Sequence, residues 1–242
     1  MNNKITLSVV IPLYNEARNI PSLLKDYDEM ITRDDIEIIL VNNGSTDNTA
    51  HVLAELAPTY RDFWRLVSIS INQGYGHGIL TGLSEARGEF VGWTHGDLQT
   101  PAKDVLQALE IIECTINNKT LYLKGLRRGR GLFDSIFTFG MSTFETLYLK
   151  TPLFDINAQP NIFHRDFFAT WENPPHDFSL DLYTYYHARR AGLTVKRFPV
   201  LFPARMQGES AWNTGLLSRY KFIKRTVAFS KKLKREINVS RK

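Results

Sequence analysis

The sequence predicts an α/β protein built on a doubly wound, mostly parallel sheet with helices on both faces. Three observations predict it. Short apolar runs recur at Leu7 to Leu13, Ile36 to Val41, Trp64 to Ile71 and Phe90 to Trp93, as expected of strands covered on both faces. Each of the first three gives way to a polar, turn-forming stretch and then to a helical segment. Three such units in succession require right-handed crossovers, which place the loops after the strands along one edge of the sheet.

In the first unit LSVVIPL ends at Pro12, and Ile20, Leu23, Leu24 and Tyr27 then recur at helical spacing. The second, IEIILV, runs into the turn set Asn42 to Thr49, from which a helix bearing Val52, Leu53 and Leu56 starts. In the third, WRLVSISI is followed by Asn72-Gln73-Gly74-Tyr75-Gly76-His77-Gly78, which opens a helix with further small residues. Its G-x-G-x-G spacing differs from the dinucleotide fingerprint, and no phosphate-binding G-x-x-x-x-G-K-[ST] string occurs. Glycines at a helix start either admit a diphosphate close to the backbone N–H groups or let helix and strand pack tightly.

Gly88 to Pro101, GEFVGWTHGDLQTP, holds the fourth strand and a polar cluster at its end. Ligands of open α/β sheets sit beyond the carboxyl ends of the strands. Asp97 and Gln99, two apart, supply the oxygen ligands a hard divalent cation takes, the rest coming from water and phosphate. The bland reading is that Asp97 caps the next helix, with Pro101 near its first turn.

Composition bounds the rest. Of 242 residues, 43% are apolar and 12% aromatic, which suffices for a real core. The single cysteine, Cys114, forms no internal disulfide. No secretory leader or membrane-spanning apolar run is visible, so a cytoplasmic protein is expected. Six histidines are scattered singly, against a structural zinc site. The net charge of +5 is uneven: from Gly215 onward ten Lys and Arg face one acid, so that stretch carries +9 and the remainder −4. There Leu216, Tyr220, Ile223 and Val227 make an apolar stripe among basic residues, as in a helix lying on an anionic membrane, a helix packed on the domain, or a nucleic-acid arm.

Four strings, VVIPLYNE at Val9 to Glu16, LVNNGSTDNT at Leu40 to Thr49, NQGYGHG at Asn72 to Gly78 and GDLQTP at Gly96 to Pro101, together resemble the family 2 glycosyltransferases of GT-A (Rossmann-like) fold. Dolichyl-phosphate mannose synthase and bacterial polyprenyl-phosphate sugar transferases typify the kind. The resemblance implies an inverting transferase using a nucleotide-sugar donor and Mg²⁺ or Mn²⁺. Pro12, Tyr14 and Glu16 would line the nucleoside pocket, Asn43 would face the base, and Asn72, Gly74 and Gly78 would approach the diphosphate. Asp97 and Gln99 would hold the metal. Where relatives carry a second acid stands His95, an imidazole that suits Mn²⁺ better than Mg²⁺. Asn42 and Asn43 likewise replace acids of many relatives.

Further along, Arg127 in Lys124 to Arg130 falls on a family arginine that binds phosphate, with Arg128 and Arg130 beside it; the alternative is a solvated basic loop. Ser142 matches a serine of polyprenyl-phosphate enzymes, although Thr138 stands where their arginine is expected. Asn157 and Gln159 are polar candidates on the acceptor side. Asp181 is either a catalytic base for a hydroxyl acceptor or an acid stabilising a helix N-terminus. Arg205 and Ser210, in an R-x-x-G-x-S loop, would bind diphosphate or acceptor phosphate on closure. The reading is thus a GT-A domain over residues 1–213 and a basic amphipathic tail over 214–242. The acceptor is a polyprenyl phosphate or a glycan in surface-polysaccharide assembly, and the tail is a peripheral attachment to the cytoplasmic face of a membrane. No nucleic-acid partner is expected. A non-catalytic nucleotide-sugar binding protein and, behind it, a nucleic-acid-binding α/β protein are the competing readings.

Overall fold

The computed structural model describes residues 4–60, 64–202 and 216–239. Its strands are β1 (Leu7–Leu13), β2 (Ile36–Asn43), β3 (Trp64–Ile69), β4 (Phe90–Trp93), β5 (Leu121–Arg128), β6 (Asn161–His164) and β7 (Thr194–Leu201). The helices are α1 (Ile20–Met30), α2 (Thr49–Leu56), α3 (Tyr75–Glu85), α4 (Ala102–Glu113), α5 (Leu132–Leu149), the single turn α6 (Arg165–Phe168), α7 (Leu180–Arg190) and α8 (Leu216–Val239).

All seven strands join one sheet in the order β3-β2-β1-β4-β6-β5-β7. The doubly wound prediction holds: β1 pairs in parallel with β2 and β4, β2 with β3, and β5 with β7. Among the described strands only β6 runs the other way, antiparallel to β4 and β5. Its register sets Trp93, the last residue of β4, opposite Asn161, the first of β6. One edge of the sheet therefore collects the ends of six strands and the beginning of a seventh.

Alternation along β1 divides the core. Leu7, Val9, Ile11 and Leu13 face one layer, with Leu23 and Leu24 of α1, Leu53 of α2 and Val105 and Leu109 of α4. Val10 faces the other, with Ile79 and Leu83 of α3, Phe167 of α6 and Leu182 and Tyr186 of α7. Each such aliphatic side chain contributes roughly 1.5–3 kcal/mol by leaving water. Among the described residues no helix is long and apolar enough to cross a membrane.

The described part of the basic C-terminal segment is the helix α8, which packs on α5. Ser230 and Leu233 of α8 are fully buried, whereas Tyr220, expected in the buried stripe, is exposed. The Ser230 hydroxyl donates to the Glu145 carboxylate of α5, its oxygen 2.8 Å from both carboxylate oxygens. The helix docks where that buried acid meets a donor, one turn beyond the stripe read from the sequence.

Candidate active site

The chain leaves β4 at Thr94, whose N–H donates to the Val10 carbonyl at 3.0 Å. The next residues form a loop closed at its base by Thr100. The Thr94 hydroxyl donates to Thr100 Oγ1 at 2.8 Å, and the Thr100 hydroxyl donates to the His95 carbonyl at 3.2 Å. Within the loop Leu98 takes a left-handed φ of 63°, and Asp97 Oδ1 accepts the N–H of Gln99 at 3.2 Å. Helix α4 takes its cap from elsewhere, since Asp26 Oδ2 accepts the N–H of Ala102 at 2.8 Å. Asp97 is therefore not the cap of α4; it is a buried carboxylate in a tight turn at the strand ends.

Beside this loop lies a polar network from four other elements. Asp181, in the first turn of α7 and 1% exposed, accepts from Gln159 Nε2 at 2.8 Å and Asn161 Nδ2 at 3.1 Å. Asn161 Oδ1 in turn accepts from Lys124 Nζ at 2.7 Å and the Tyr122 hydroxyl at 2.9 Å. Lys124 Nζ also donates to the Ala158 carbonyl at 2.9 Å, and Gln159 Nε2 reaches the Tyr75 hydroxyl at 3.2 Å. Burial pushes the Lys124 ammonium down to about 7, against the charge of Asp181. Burial pushes the Asp181 carboxyl up, against the charges of Lys124 and His95. The Tyr75 phenol is raised by burial and by both Asp181 and Asp97. The Tyr75 ring also lies 6.0 Å, centre to centre, from that of His95, so one tyrosine touches both the β4 loop and the network.

Gln159 was read from the sequence; Lys124, Tyr75 and Asn161 were not given roles. The signal was present: a lysine inside the apolar strand Leu121-Tyr122-Leu123, two residues from Tyr122 and so on the same face. Asn157 is only partly buried.

Arg127 is not a free phosphate hook. Its guanidinium makes a two-pronged pair with Asp155, with Nε 2.9 Å from Oδ1, and its side chain is only 8% exposed. Arg197 approaches the same carboxylate at 3.5 Å. Burial raises the Asp155 carboxyl, but these two guanidiniums and Lys124 hold it below the ordinary range. Ser142 is engaged too, its hydroxyl oxygen accepting the N–H of Asp155 at 3.0 Å. Arg128 is exposed, and Arg130 donates to Thr138 Oγ1 at 2.6 Å.

At the opposite end of the edge, two loops knit together. Asn15, at φ 57°, accepts the N–H of Thr46 at 2.8 Å, and the N–H of Glu16 donates to Thr49 Oγ1 at 2.9 Å. Pro12 is half-buried and Tyr14 exposed on this rim. Asn43 points under the start of α3, its amide donating to the Gly74 carbonyl at 3.0 Å. A Cβ on Gly78 would lie 2.9 Å from the Asn43 Cγ. Gly74, at φ 116°, presses against the carbonyl of His176, which accepts the N–H of His77 at 2.9 Å. Groups of the chain itself thus stand close to both glycines expected at the diphosphate, His176 by Gly74 and Asn43 by Gly78. Asn72 is exposed and shapes the turn by accepting the N–H of Gly74 at 2.8 Å. Arg205 and Ser210 lie outside the described residues.

The sequence of residues 8–115 matches the family model described as Glycosyl transferase family 2. The match spans 108 of the 242 residues. The GT-A fold is borne out by solved structures. A mannosyltransferase from Pyrobaculum calidifontis, in complex with GDP-Man and Mn²⁺, is 23% identical at a TM-score of 0.66, over 88% of this chain and 60% of that one. Glucosyl-3-phosphoglycerate synthase from Mycobacterium tuberculosis, with Mn²⁺, UDP and glucosyl-3-phosphoglycerate, is 18% identical at a TM-score of 0.68, over 89% and 76%. S. aureus TarS 1-349 in complex with UDP-GlcNAc is 17% identical at 0.61, over 88% and 62%.

In this site the donor set is sparse. Among the described residues no three His, Cys, Asp or Glu side chains cluster as metal ligands. A single buried carboxylate with an amide and an imidazole close in sequence fits a hard cation that keeps most of its shell for water and phosphate oxygens. It does not fit a closed protein cage.

Proposed function

We propose that the chain is an inverting, metal-dependent glycosyltransferase that moves a sugar from a nucleotide-sugar donor to an acceptor hydroxyl. The observation that carries this reading is the meeting, around Tyr75, of the Asp97 loop, whose His95 ring centre lies 6.0 Å from that of Tyr75, and the buried Asp181 network, whose Gln159 Nε2 lies 3.2 Å from the Tyr75 hydroxyl. Asp97 would hold Mg²⁺ or Mn²⁺ with Gln99 or His95, and the cation would supply charge neutralisation for the departing nucleoside diphosphate. The acceptor oxygen attacks the anomeric carbon as its bond to the diphosphate oxygen breaks, and the hydroxyl proton passes to Asp181. A carboxyl whose proton affinity is raised by burial suits that task. Pro12, Tyr14 and Glu16 stand at the rim where the nucleoside would enter.

A polyprenyl phosphate is the second acceptor reading, favoured by the exposed Arg128 at the end of β5, two residues before Arg130. A phosphate acceptor is already ionised and needs no base. In either case a lipid-linked acceptor in surface-polysaccharide assembly would be met from a peripheral seat on an anionic membrane.

The test is transfer from a panel of nucleotide sugars with Mn²⁺, using Asp97→Ala and Asp181→Asn. Loss of transfer in both variants supports the hydroxyl reading. Transfer to polyprenyl phosphate that survives Asp181→Asn moves the assignment to the second acceptor. Donor binding without turnover by the wild type overturns the enzymatic reading.

A further inference from the structure

Helix α5 is seated on the domain by one side only. Ser142, Glu145 and Leu149 are buried, while Leu132, Phe133, Ile136, Phe139 and Leu147 stand 75, 83, 61, 64 and 73% exposed, with Phe144 at 38%. These positions share one stripe of the helix, about 22 Å long at 1.5 Å per residue. Asp134 and Glu145 are its only charged residues, and Glu145 is buried. Isolated exposed apolar side chains are ordinary, but a continuous stripe of six marks an interaction surface.

The flanks of the stripe are cationic. Lys234 of α8 holds its ammonium 4.0 Å from the centroid of the Tyr148 ring, which stacks on Phe144 at 5.5 Å. Lys224, Lys231 and Arg235 of α8 are exposed, and Arg130 is tied to α5 through Thr138. A second copy of the chain covering the stripe by twofold symmetry would bring two such basic helices together. An anionic surface meets them with opposite charge.

We propose that α5 is the element by which the chain lies on an anionic lipid bilayer, its apolar stripe entering the boundary of headgroups and acyl chains while α8 supplies the cations that meet lipid phosphates. The contact thus moves from the C-terminal stripe read in the sequence to a helix in the middle of the chain. It rests on the peripheral seat proposed above and not on the donor or the metal.

The test is flotation of the full chain with phosphatidylcholine vesicles, with and without phosphatidylglycerol. The wild type is expected to float with the anionic vesicles and to be released by high salt. Phe133→Ser with Phe139→Ser, both at exposed positions, is expected to bind about tenfold or more weakly with an unchanged melting curve. Lys224→Gln, Lys231→Gln and Arg235→Gln together are expected to remove the preference for the anionic lipid. Thermal stabilisation by nucleotide sugar and Mn²⁺, followed on the same variants, reports separately on the transferase reading. Absence of flotation by the wild type, undiminished flotation of the double Phe variant, or a dimer that this variant splits with no change in lipid binding would each overturn the assignment.

Discussion

The Lys124 ammonium lies 2.7 Å from the side-chain oxygen of Asn161. That amide in turn donates to Asp181 at 3.1 Å, so a buried cation addresses the proposed base through one intervening side chain. Lys124→Met removes the charge that most opposes the burial of Asp181. The acid limb of the pH–rate profile is expected to move to higher pH by on the order of one pH unit. A variant that loses rate at every pH with an unmoved limb would argue for simple misfolding of the network.

Asp97→Asn keeps the shape of the turn after β4 and removes its negative charge. Transfer is expected to fall by about a hundredfold or more, the scale on which charge stabilisation of a departing group acts. The melting temperature should change little, and manganese titration of the variant should show a weakened response. An unchanged rate would remove Asp97 from the metal site.

Arg127→Ala strips the Asp155 carboxylate of its two-pronged partner in a buried setting, leaving Arg197 at 3.5 Å. Unfolding free energy is expected to drop by about 3 kcal/mol, as when one half of a buried ion pair is deleted. Chemical denaturation measures this. Donor KM should move far less, the reverse of what a phosphate-binding arginine gives.

Burial raises the Glu145 carboxyl from 4.5 to about 7, against the hydrogen bond from Ser230. The folded chain therefore binds this proton more tightly than the unfolded chain does. Its stabilising contribution is complete below about pH 4.5 and is lost as pH rises towards 7, a change on the order of 3 kcal/mol. Glu145→Gln should flatten the stability profile over that range and raise stability near neutrality, measured by urea unfolding at a series of pH values.

Gly74→Ala forces a Cβ into a left-handed φ of 116° and against the His176 carbonyl. A loss of about 1–3 kcal/mol is expected. Faster hydrogen exchange at the N–H of His77, which that carbonyl accepts, would be the local signature.

Much of the scaffold was legible in the sequence. Leu7–Leu13 and Phe90–Trp93 are strands with the bounds their apolar runs suggest, and α1 buries the Ile20, Leu23, Leu24 and Tyr27 its spacing picks out. Apolar periodicity reports which face of an element meets a core, and that information is local. The reversal of β6 was not legible, because strand direction is decided by neighbours distant in sequence. For the same reason the Arg127–Asp155 pair, 28 residues apart, was not visible in the sequence, where Arg127 read as a phosphate-binding arginine or part of a solvated basic loop and Asp155 drew no role. The glycines of Asn72 to Gly78 announced close approach correctly. They did not announce that the approaching groups are the chain's own, His176 at Gly74 and Asn43 at Gly78.

Because β6 runs backward, the crevice is furnished from two directions of synthesis. On the proposed assignment, the loop that would hold the metal is complete by Pro101, whereas Asn161, with Gln159 just before it, comes in on the reversed strand β6. The proposed acceptor contacts at Gln159 and Asn161 would therefore lie on a segment of their own. Exchanging residues 157–161 between homologous chains offers a route to a new acceptor that leaves the nucleotide end as it is.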